Sequence, residues 1–351
     1  MKLVIMIPCL NEEATLPLVI TTIPKQIPGI DSIDILVIDD GSTDNTVAVA
    51  RQLGVEHFIH HAKNRGLALS LRDGIRGALE LKADILVLTD GDNQYPQERI
   101  SDLIRPILDG TADTVIADRQ VQTIEHFSPM KKFLQKFGTG VLNAVAGTSI
   151  PDSTSGFRAY SKEAAAKLNL IGQFNFAMET TLQAAHKRLK FVTIPVKTNP
   201  KTRESRLFKS SWQHVRKSAV ALLNAYIMYK PFMVFMTLGI ILLIAGLIPF
   251  FHFLYLVLTT RSPFGAHHLQ SLIVGGVLLT GSFFSFTLGI VANLIRINRV
   301  LIEDILEELR RERYKMSLDE VGRETSGEAN QETSLNASQE TSREHEHQIQ
   351  I

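Results

Sequence analysis

Two stretches, Phe232 to Leu258 and Leu272 to Ile295, are almost wholly apolar and contain no Asp, Glu, Lys or Arg. Each exceeds the ~20 residues that a helix needs to cross a ~30 Å hydrocarbon core. Soluble core helices of that length without a charge are uncommon. The chain is therefore expected to be an integral membrane protein with two spans, about 232–258 and 271–295. Arg203, Arg206, Lys209, Arg216, Lys217 and Lys230 precede the first span, and Arg296, Arg299, Arg310 and Arg311 follow the second. Between the spans only Arg261 is basic among Lys and Arg. The excess of positive charge beside the outer ends predicts that the N-terminal region and the C-terminus both face the cytoplasm. Leu3–Ile7 is too short for a secretory signal and is followed by Pro8, Glu12 and Glu13. Cys9 is the only cysteine, which excludes an intramolecular disulfide and a cysteine-built zinc site. A formal net charge of +1 argues against a general nucleic-acid binder.

Residues 2–200 alternate two kinds of pattern. Strands are expected at Leu3–Ile7, Ile35–Ile38, His57–His60, Ile85–Leu88, Thr114–Ala117 and Phe191–Val196. Several are continuous runs rich in Ile and Val, as in strands covered on both faces. Helical spacing intervenes at Thr15–Thr22, Thr46–Leu53, Leu67–Leu81, Glu98–Leu108 and Lys162–Leu168, with Asp44 or Ser42 available to cap the second. This alternation predicts an α/β fold with a mainly parallel sheet flanked by helices. Ligands of such sheets bind beyond the carboxyl ends of the strands, where Asp39-Asp40 and Asp90/Asp92 fall.

Four strand-end stretches carry polar groups. IPCLNEEATLP is explained by a turn into a helix whose dipole favours Glu12 and Glu13. VIDDGSTDNT either caps a turn or offers carboxylates to a base edge and ribose hydroxyls. In HAKNRGLALS, Gly66 permits close backbone approach at a helix N-terminus that favours an anion. In LVLTDGDNQYP, Asp90, Asp92 and Gln94 alternate after a buried run. They either solvate a turn or offer oxygen ligands to Mg²⁺ or Mn²⁺, leaving positions for a diphosphate.

Taken in order, IPCLNEE, VIDDGSTDNT, KNRG, DGDNQYP and DSTSGFRAYS resemble the family 2 glycosyltransferases of the A-type nucleotide-diphospho-sugar fold. The set is closest to the polyprenyl-phosphate sugar transferases of the dolichyl-phosphate mannose synthase type. The resemblance covers roughly residues 2–210. It implies that Pro8, Leu10 and Glu12 contact the nucleotide and that Asp39 or Asp40 recognises base or ribose. It implies Asp90, Asp92 and Gln94 as ligands of Mg²⁺ or Mn²⁺, with Gly91 leaving room for the donor against the backbone. Arg119 is implied at the sugar or phosphate. Asp152, Ser155, Gly156 and Arg158 match a motif whose arginine addresses phosphate. Lys201, Arg203, Ser205 and Arg206 match a loop that grips the donor diphosphate and the lipid phosphate through guanidinium forks. The catalytic set implied is Asp92, Arg119, Arg158 and Arg206. Glu179 is read as a positioning or structural residue, because a phosphate acceptor is already largely ionised at neutral pH.

The resulting expectation is a catalytic domain over 1–210, then an interfacial amphipathic helix over 211–230 in contact with membrane lipid. Two spans within 231–298, an amphipathic helix over 299–315 and a disordered polar tail over 316–351 follow. The tail repeats ETS at 324–326, 332–334 and 340–342. Self-association would use the membrane or C-terminal helices. The expected reaction moves a sugar from a UDP- or GDP-linked donor to dolichyl or undecaprenyl phosphate. Other readings are transfer to a lipid or glycan hydroxyl, or a non-catalytic membrane scaffold of the same fold. Two uncharged spans exclude a transporter.

Overall fold

The computed structural model describes residues 1–123, 129–170, 176–200, 230–259 and 269–348, with 220 and 227. Contacts divide the chain into Met1–Glu303 and Asp304–Ile351. In the first unit, seven strands form one sheet: β1 (Lys2–Cys9), β2 (Ser32–Asp39), β3 (His57–His60), β4 (Ile85–Leu88), β5 (Thr114–Asp118), β6 (Arg158–Ser161) and β7 (Phe191–Pro195). Their order is β3-β2-β1-β4-β6-β5-β7. All pairs are parallel except those of β6, which runs antiparallel between β4 and β5. The sheet is thus mainly parallel, as expected, with one strand that the apolar runs did not announce. β6 reads Arg-Ala-Tyr-Ser, four residues without an Ile/Val run.

Leu3, Ile5, Ile7, Ile85, Val87, Val115 and Ala117 are fully buried in one continuous core. Helices α1 (Leu16–Thr22), α2 (Thr46–Gln52), α3 (Leu67–Glu80), α4 (Ile100–Leu108), α5 (Pro129–Ala146), α6 (Lys162–Lys167) and α7 (Phe176–His186) cover the sheet. The patterning located five of these. It missed α5 and α7, where Gly138, Gly140 and Thr180-Thr181 interrupt the expected composition. Neither residue expected to cap α2 does so: its N-cap is Asn45, which carries no side-chain cap bond, while just before it Asp44 accepts the Thr46 N–H through Oδ1 at 3.0 Å. Burial opposes its charge, yet the Thr46 bonds hold this carboxyl below the ordinary range. The Ser42 hydroxyl instead accepts the Asn11 N–H at 2.9 Å.

α8 (Pro231–Thr259) and α9 (Leu269–Gln348) contain the two apolar stretches. Both are long and apolar enough to cross a membrane, with mean hydropathy 2.6 over Pro231–Thr259 and 1.8 over Leu269–Arg310. Only 11% and 22% of their most apolar windows are buried, so protein packing does not cover them. They pack together through small residues: Ser282 Oγ donates to Gly239 O at 2.9 Å and Ser285 Oγ to Phe235 O at 2.7 Å. Hydroxyl-to-carbonyl bonds across close-packed helices suit a lipid surround that supplies no hydrophobic drive of its own. α9 then continues to Gln348, where the sequence predicted a helix ending near 315 and a disordered tail. Most of the segment expected as an interfacial helix, 211–230, lies outside the described residues.

Candidate active site

Because β1, β2, β4 and β5 are mutually parallel, their carboxyl ends open on one edge of the sheet. The loop after β1, the loop after β2, the DGDNQYP loop after β4 and Arg119 after β5 all gather there. The antiparallel β6 brings Asp152 to Phe157 to the same edge from the opposite direction.

The first two loops are laced together. Asn11, in a left-handed conformation (φ 56), presents its Oδ1 to the Thr43 N–H at 2.7 Å. Thr46 Oγ1 accepts the Glu12 N–H at 2.8 Å, and Glu13 Oε2 accepts the Asn45 N–H at 3.0 Å. Pro8 and Glu12 are buried, and Leu10 is half-buried. The two adjacent acids at the end of β2 diverge. Asp40 Oδ1 accepts the Arg65 N–H at 2.8 Å and faces His61 Nδ1 at 2.8 Å, while its Oδ2 accepts the Gly66 N–H at 2.9 Å. Asp40 therefore pins the KNRG turn. Asp39 accepts the Ser42 N–H at 2.9 Å through Oδ1, and its Oδ2 lies 3.4 Å from His60. Of the pair, Asp39 is the one less fully occupied by the protein's own backbone.

In the third loop Asp92 Oδ1 accepts the Gln94 N–H at 3.1 Å, with Asn93 between them at φ 60. The Asn199 N–H donates to Gln94 O at 2.9 Å and its side chain to Asn93 O at 3.1 Å, which ties this loop to the end of the α/β domain. Asp90, Asp92 and Gln94 are half-buried. A Cβ at Gly91 would meet Cys9 Sγ at 3.1 Å and Pro8 O at 3.4 Å, so its missing side chain admits the first loop.

Arg119 and Asp152 form a buried bidentate pair, Nε to Oδ2 at 2.6 Å and Nη2 to Oδ1 at 3.0 Å. Thr154 Oγ1 accepts a further bond from Nη2 at 2.6 Å. Burial opposes both charges. The Asp152 carboxylate, by its hydrogen bonds and its charge, nevertheless keeps the guanidinium protonated, and the Arg119 fork holds the Asp152 carboxyl below the usual range. Tyr95 was not anticipated. Its hydroxyl accepts the Gly156 N–H at 2.9 Å, its ring stacks on Phe157 at 5.2 Å, and burial pushes it up to about 12. The Tyr in DGDNQYP and the Gly of DSTSG were its only sequence signals. Asp90 adds to the field around this cluster, raising Tyr95 and Arg119 alike.

Arg158 corrects the sequence reading. It is fully buried, and its guanidinium donates to Ser155 O (2.7 Å), Ser153 O (2.7 Å), Thr180 Oγ1 (2.9 Å) and Thr181 Oγ1 (3.1 Å). A phosphate cannot reach a fork engaged in this way; Arg158 instead braces the DSTSG turn against α7. Glu179 is buried on α7, 3.4 Å from Gln183 Nε2. Ser155 is fully buried. Lys201, Arg203, Ser205 and Arg206 lie outside the described residues.

The donor chemistry of the third loop fits a hard divalent cation. Two carboxylates and an amide supply oxygens without thiolate or imidazole, which suits Mg²⁺ or Mn²⁺. Among the described residues no cluster of three or more His, Cys, Asp or Glu forms a self-contained cage. A cation there would take its remaining ligands from a diphosphate or water.

Loops converging beyond a mostly parallel sheet, with an acidic oxygen set at the same edge as a buried arginine, make up the fold and candidate site of a glycosyltransferase. A family model described as "Glycosyl transferase family 2" matches residues 4–168, and the chain belongs to that family and is a glycosyltransferase. An uncharacterized protein of Methanocaldococcus jannaschii is 31% identical over 204 residues, 56% of this chain and 81% of its own length. The polyprenol monophosphomannose synthase of Mycolicibacterium smegmatis is 28% identical, covering 62% of this chain and 84% of that protein. A UDP-N-acetylglucosamine–dolichyl-phosphate N-acetylglucosaminyltransferase of Methanococcus voltae is 27% identical, with 55% and 84% covered. Glucosyl-3-phosphoglycerate synthase of Mycobacterium tuberculosis, solved with Mn²⁺, UDP and glucosyl-3-phosphoglycerate, shares the fold. Its TM-score is 0.51 at 20% identity, over 64% of this chain and 79% of that one.

Proposed function

We propose that the protein transfers a sugar from a UDP- or GDP-linked donor to a polyprenyl phosphate, dolichyl or undecaprenyl, at the cytoplasmic face of a membrane that α8 and α9 span. The observation that carries this reading is the placement of Asp90, Asp92 and Gln94 across the same sheet edge from Arg119–Asp152, in a chain with a lipid-compatible helix pair. The acceptors printed in the names of the two transferase relatives support it, and the basic clusters outside the spans support the orientation. The sugars in those two names differ, so the donor sugar is left open.

Asp39, Pro8, Leu10 and Glu12 would hold the nucleoside, and Asp90, Asp92 and Gln94 would hold Mg²⁺ or Mn²⁺. Such an ion, when bound, offsets negative charge on the departing diphosphate. A phosphate oxygen of the lipid attacks the anomeric carbon from the face opposite the leaving group. One C–O bond forms as another breaks, with inversion. The attacking phosphate is already largely ionised, so no general base is needed. Arg119 engages Asp152 through Nε and Nη2; we assign its Nη1 amino group to a donor or lipid phosphate oxygen. Lys201, Arg203, Ser205 and Arg206 complete the phosphate grip. Self-association through the spans or through 299–315 belongs to the same reading, since Leu301, Ile302, Ile305 and Leu309 are exposed.

Purified full-length protein should convert a radiolabelled nucleotide sugar into an organic-extractable, acid-labile product only with polyprenyl phosphate and Mg²⁺ or Mn²⁺. Transfer to a hydroxyl acceptor with polyprenyl phosphate omitted overturns the acceptor assignment. Asp92→Asn should abolish turnover in a folded protein, and an unchanged rate overturns the metal assignment.

A further inference from the structure

Just beyond the end of β3 stands a buried histidine with no place in the chemistry proposed above. The His61 side chain is 4% exposed, against 46% for His60 beside it. Its backbone N–H donates to Asp39 O at 2.9 Å, and its Nδ1 lies 2.8 Å from Asp40 Oδ1. An ionised carboxylate only accepts, so Nδ1 carries the proton and donates. The same Asp40 oxygen accepts the Arg65 N–H at 2.8 Å, and Oδ2 accepts the Gly66 N–H at 2.9 Å. Across the ring, Nε2 stands 3.2 Å from Asp73 Oδ2 on α3 and makes no hydrogen bond among the described residues. Arg65 Nη1 donates to that Asp73 oxygen at 3.0 Å, and Arg72 Nε donates to Oδ1 at 3.2 Å. Asp40, His61, Asp73 and Arg65 thus close a circuit. It joins the end of β2, the end of β3, the KNRG turn and α3.

We propose that His61 is a positioning residue of the donor site: through Asp40 it fixes the loop after β2, in which Asp39 meets the nucleoside. Burial denies the ring any contact with a donor, so its effect passes through its partners. The route is short. A methyl group on Gly41 (φ 82) would stand 2.8 Å from Lys63 C and 2.9 Å from Asn64 N, so the loop after β2 lies directly on the turn that Asp40 pins. Ser42, next in that loop, donates its N–H to Asp39 Oδ1 at 2.9 Å, and its hydroxyl accepts the Asn11 N–H at 2.9 Å. Without the His61 bond, the Asp40 carboxylate is free to turn away from Arg65 and Gly66, and the backbone beside Asp39 loses its support. Hydrogen bonds to an ionised, buried carboxylate are the strong kind, which makes this bond one whose loss the loop registers. The inference rests on Asp39 holding the donor's nucleoside.

The test is equilibrium binding of UDP and of GDP, each with Mn²⁺, to full-length protein in detergent without acceptor, together with donor KM and kcat. His61→Asn puts its amide nitrogen close to the Nδ1 position and should keep wild-type affinity. His61→Gln puts it close to the Nε2 position and loses the bond to Asp40. It should weaken nucleotide binding and raise donor KM about tenfold with kcat little changed, the factor to which one buried hydrogen bond corresponds. Asp73→Asn, at a half-buried position, releases the Arg65 side chain and should weaken binding several-fold; unchanged affinity there overturns the circuit even where His61→Gln fails to fold. Wild-type affinity in His61→Gln, or an equal loss in the Asn and Gln variants, overturns this inference alone. A fall in kcat at unchanged KM marks a merely structural histidine and overturns it too. Wild-type protein that binds neither nucleotide overturns the nucleoside role of Asp39, and this inference with it.

Discussion

Asp90 lies against the backbone of Gly156: a methyl group on Gly156 would stand 2.9 Å from Asp90 Oδ2 and 3.3 Å from Oδ1. Two motifs more than sixty residues apart therefore meet at a point where only hydrogen fits. Gly156→Ala must push the Asp90 carboxylate out of place. In the proposed role of Asp90 as a metal ligand, disturbing its support costs about 10–100-fold in affinity or activity. The expected outcome is a loss of that order in transferase rate with the thermal midpoint little changed.

Tyr95 makes the fold sensitive to alkali. Burial raises its hydroxyl from 10 to about 12, and the Arg119 charge only partly opposes that. The folded state favours the neutral phenol, so this stabilisation is complete below pH 10 and is lost as pH rises through about 12. Two pK units correspond to about 3 kcal/mol. Thermal unfolding of detergent-solubilised protein should fall steeply across that window. Tyr95→Phe should flatten the fall while lowering stability by about 1–3 kcal/mol, because the buried Gly156 N–H loses its acceptor.

The Arg119–Asp152 pair titrates at the other end. Burial raises Asp152, but the Arg119 bonds and charge outweigh it and its carboxyl sits below the ordinary value. Its contribution is present above the ordinary carboxylate range and is lost as pH falls through the depressed value. Asp152→Asn leaves a buried guanidinium without its counter-charge, a change that costs about 3–5 kcal/mol. Denaturant unfolding at neutral pH should show that loss, and activity should fall with it.

Arg158 separates structure from catalysis. Arg158→Leu leaves the Ser153 and Ser155 carbonyls without their donor in a fully buried site, each loss worth about 1–3 kcal/mol, while the Thr180 and Thr181 hydroxyls keep their bonds to α7 carbonyls. Unfolding at low denaturant is expected. A folded Arg158→Leu protein with selectively weakened affinity for phosphate would contradict the bracing role described above.

Cys9 offers a chemical readout of the first loop. Burial, with Glu12 and Asp39 nearby, raises its thiol well above the ordinary value, and thiolate is the reactive form. Maleimide should leave folded protein unmodified over hours and label it promptly in denaturant. Gly91→Ala, whose methyl would press on Cys9 Sγ at 3.1 Å, should make the thiol accessible without denaturant.

What the linear chain determined by itself follows from periodicity and local chemistry. Runs such as Leu86-Val87-Leu88 and Leu3–Ile7 identify buried parallel strands because both faces must be apolar. The two uncharged stretches identify lipid-compatible helices because length and hydropathy are local properties. The strand-end acids mark the edge where ligands bind. The tertiary structure decided the rest, since pairing between distant segments leaves no periodic trace. The antiparallel insertion of β6 brings Asp152 to Arg119 and Gly156 to Asp90. The same insertion buries Arg158, which in the sequence looks like any other basic residue near a site. Asp39 and Asp40, equivalent as neighbours in a string, were distinguished by their place at the strand end: Asp39 closes β2 and meets the loop at Ser42, while Asp40, just beyond it, meets the N–H groups of Arg65 and Gly66.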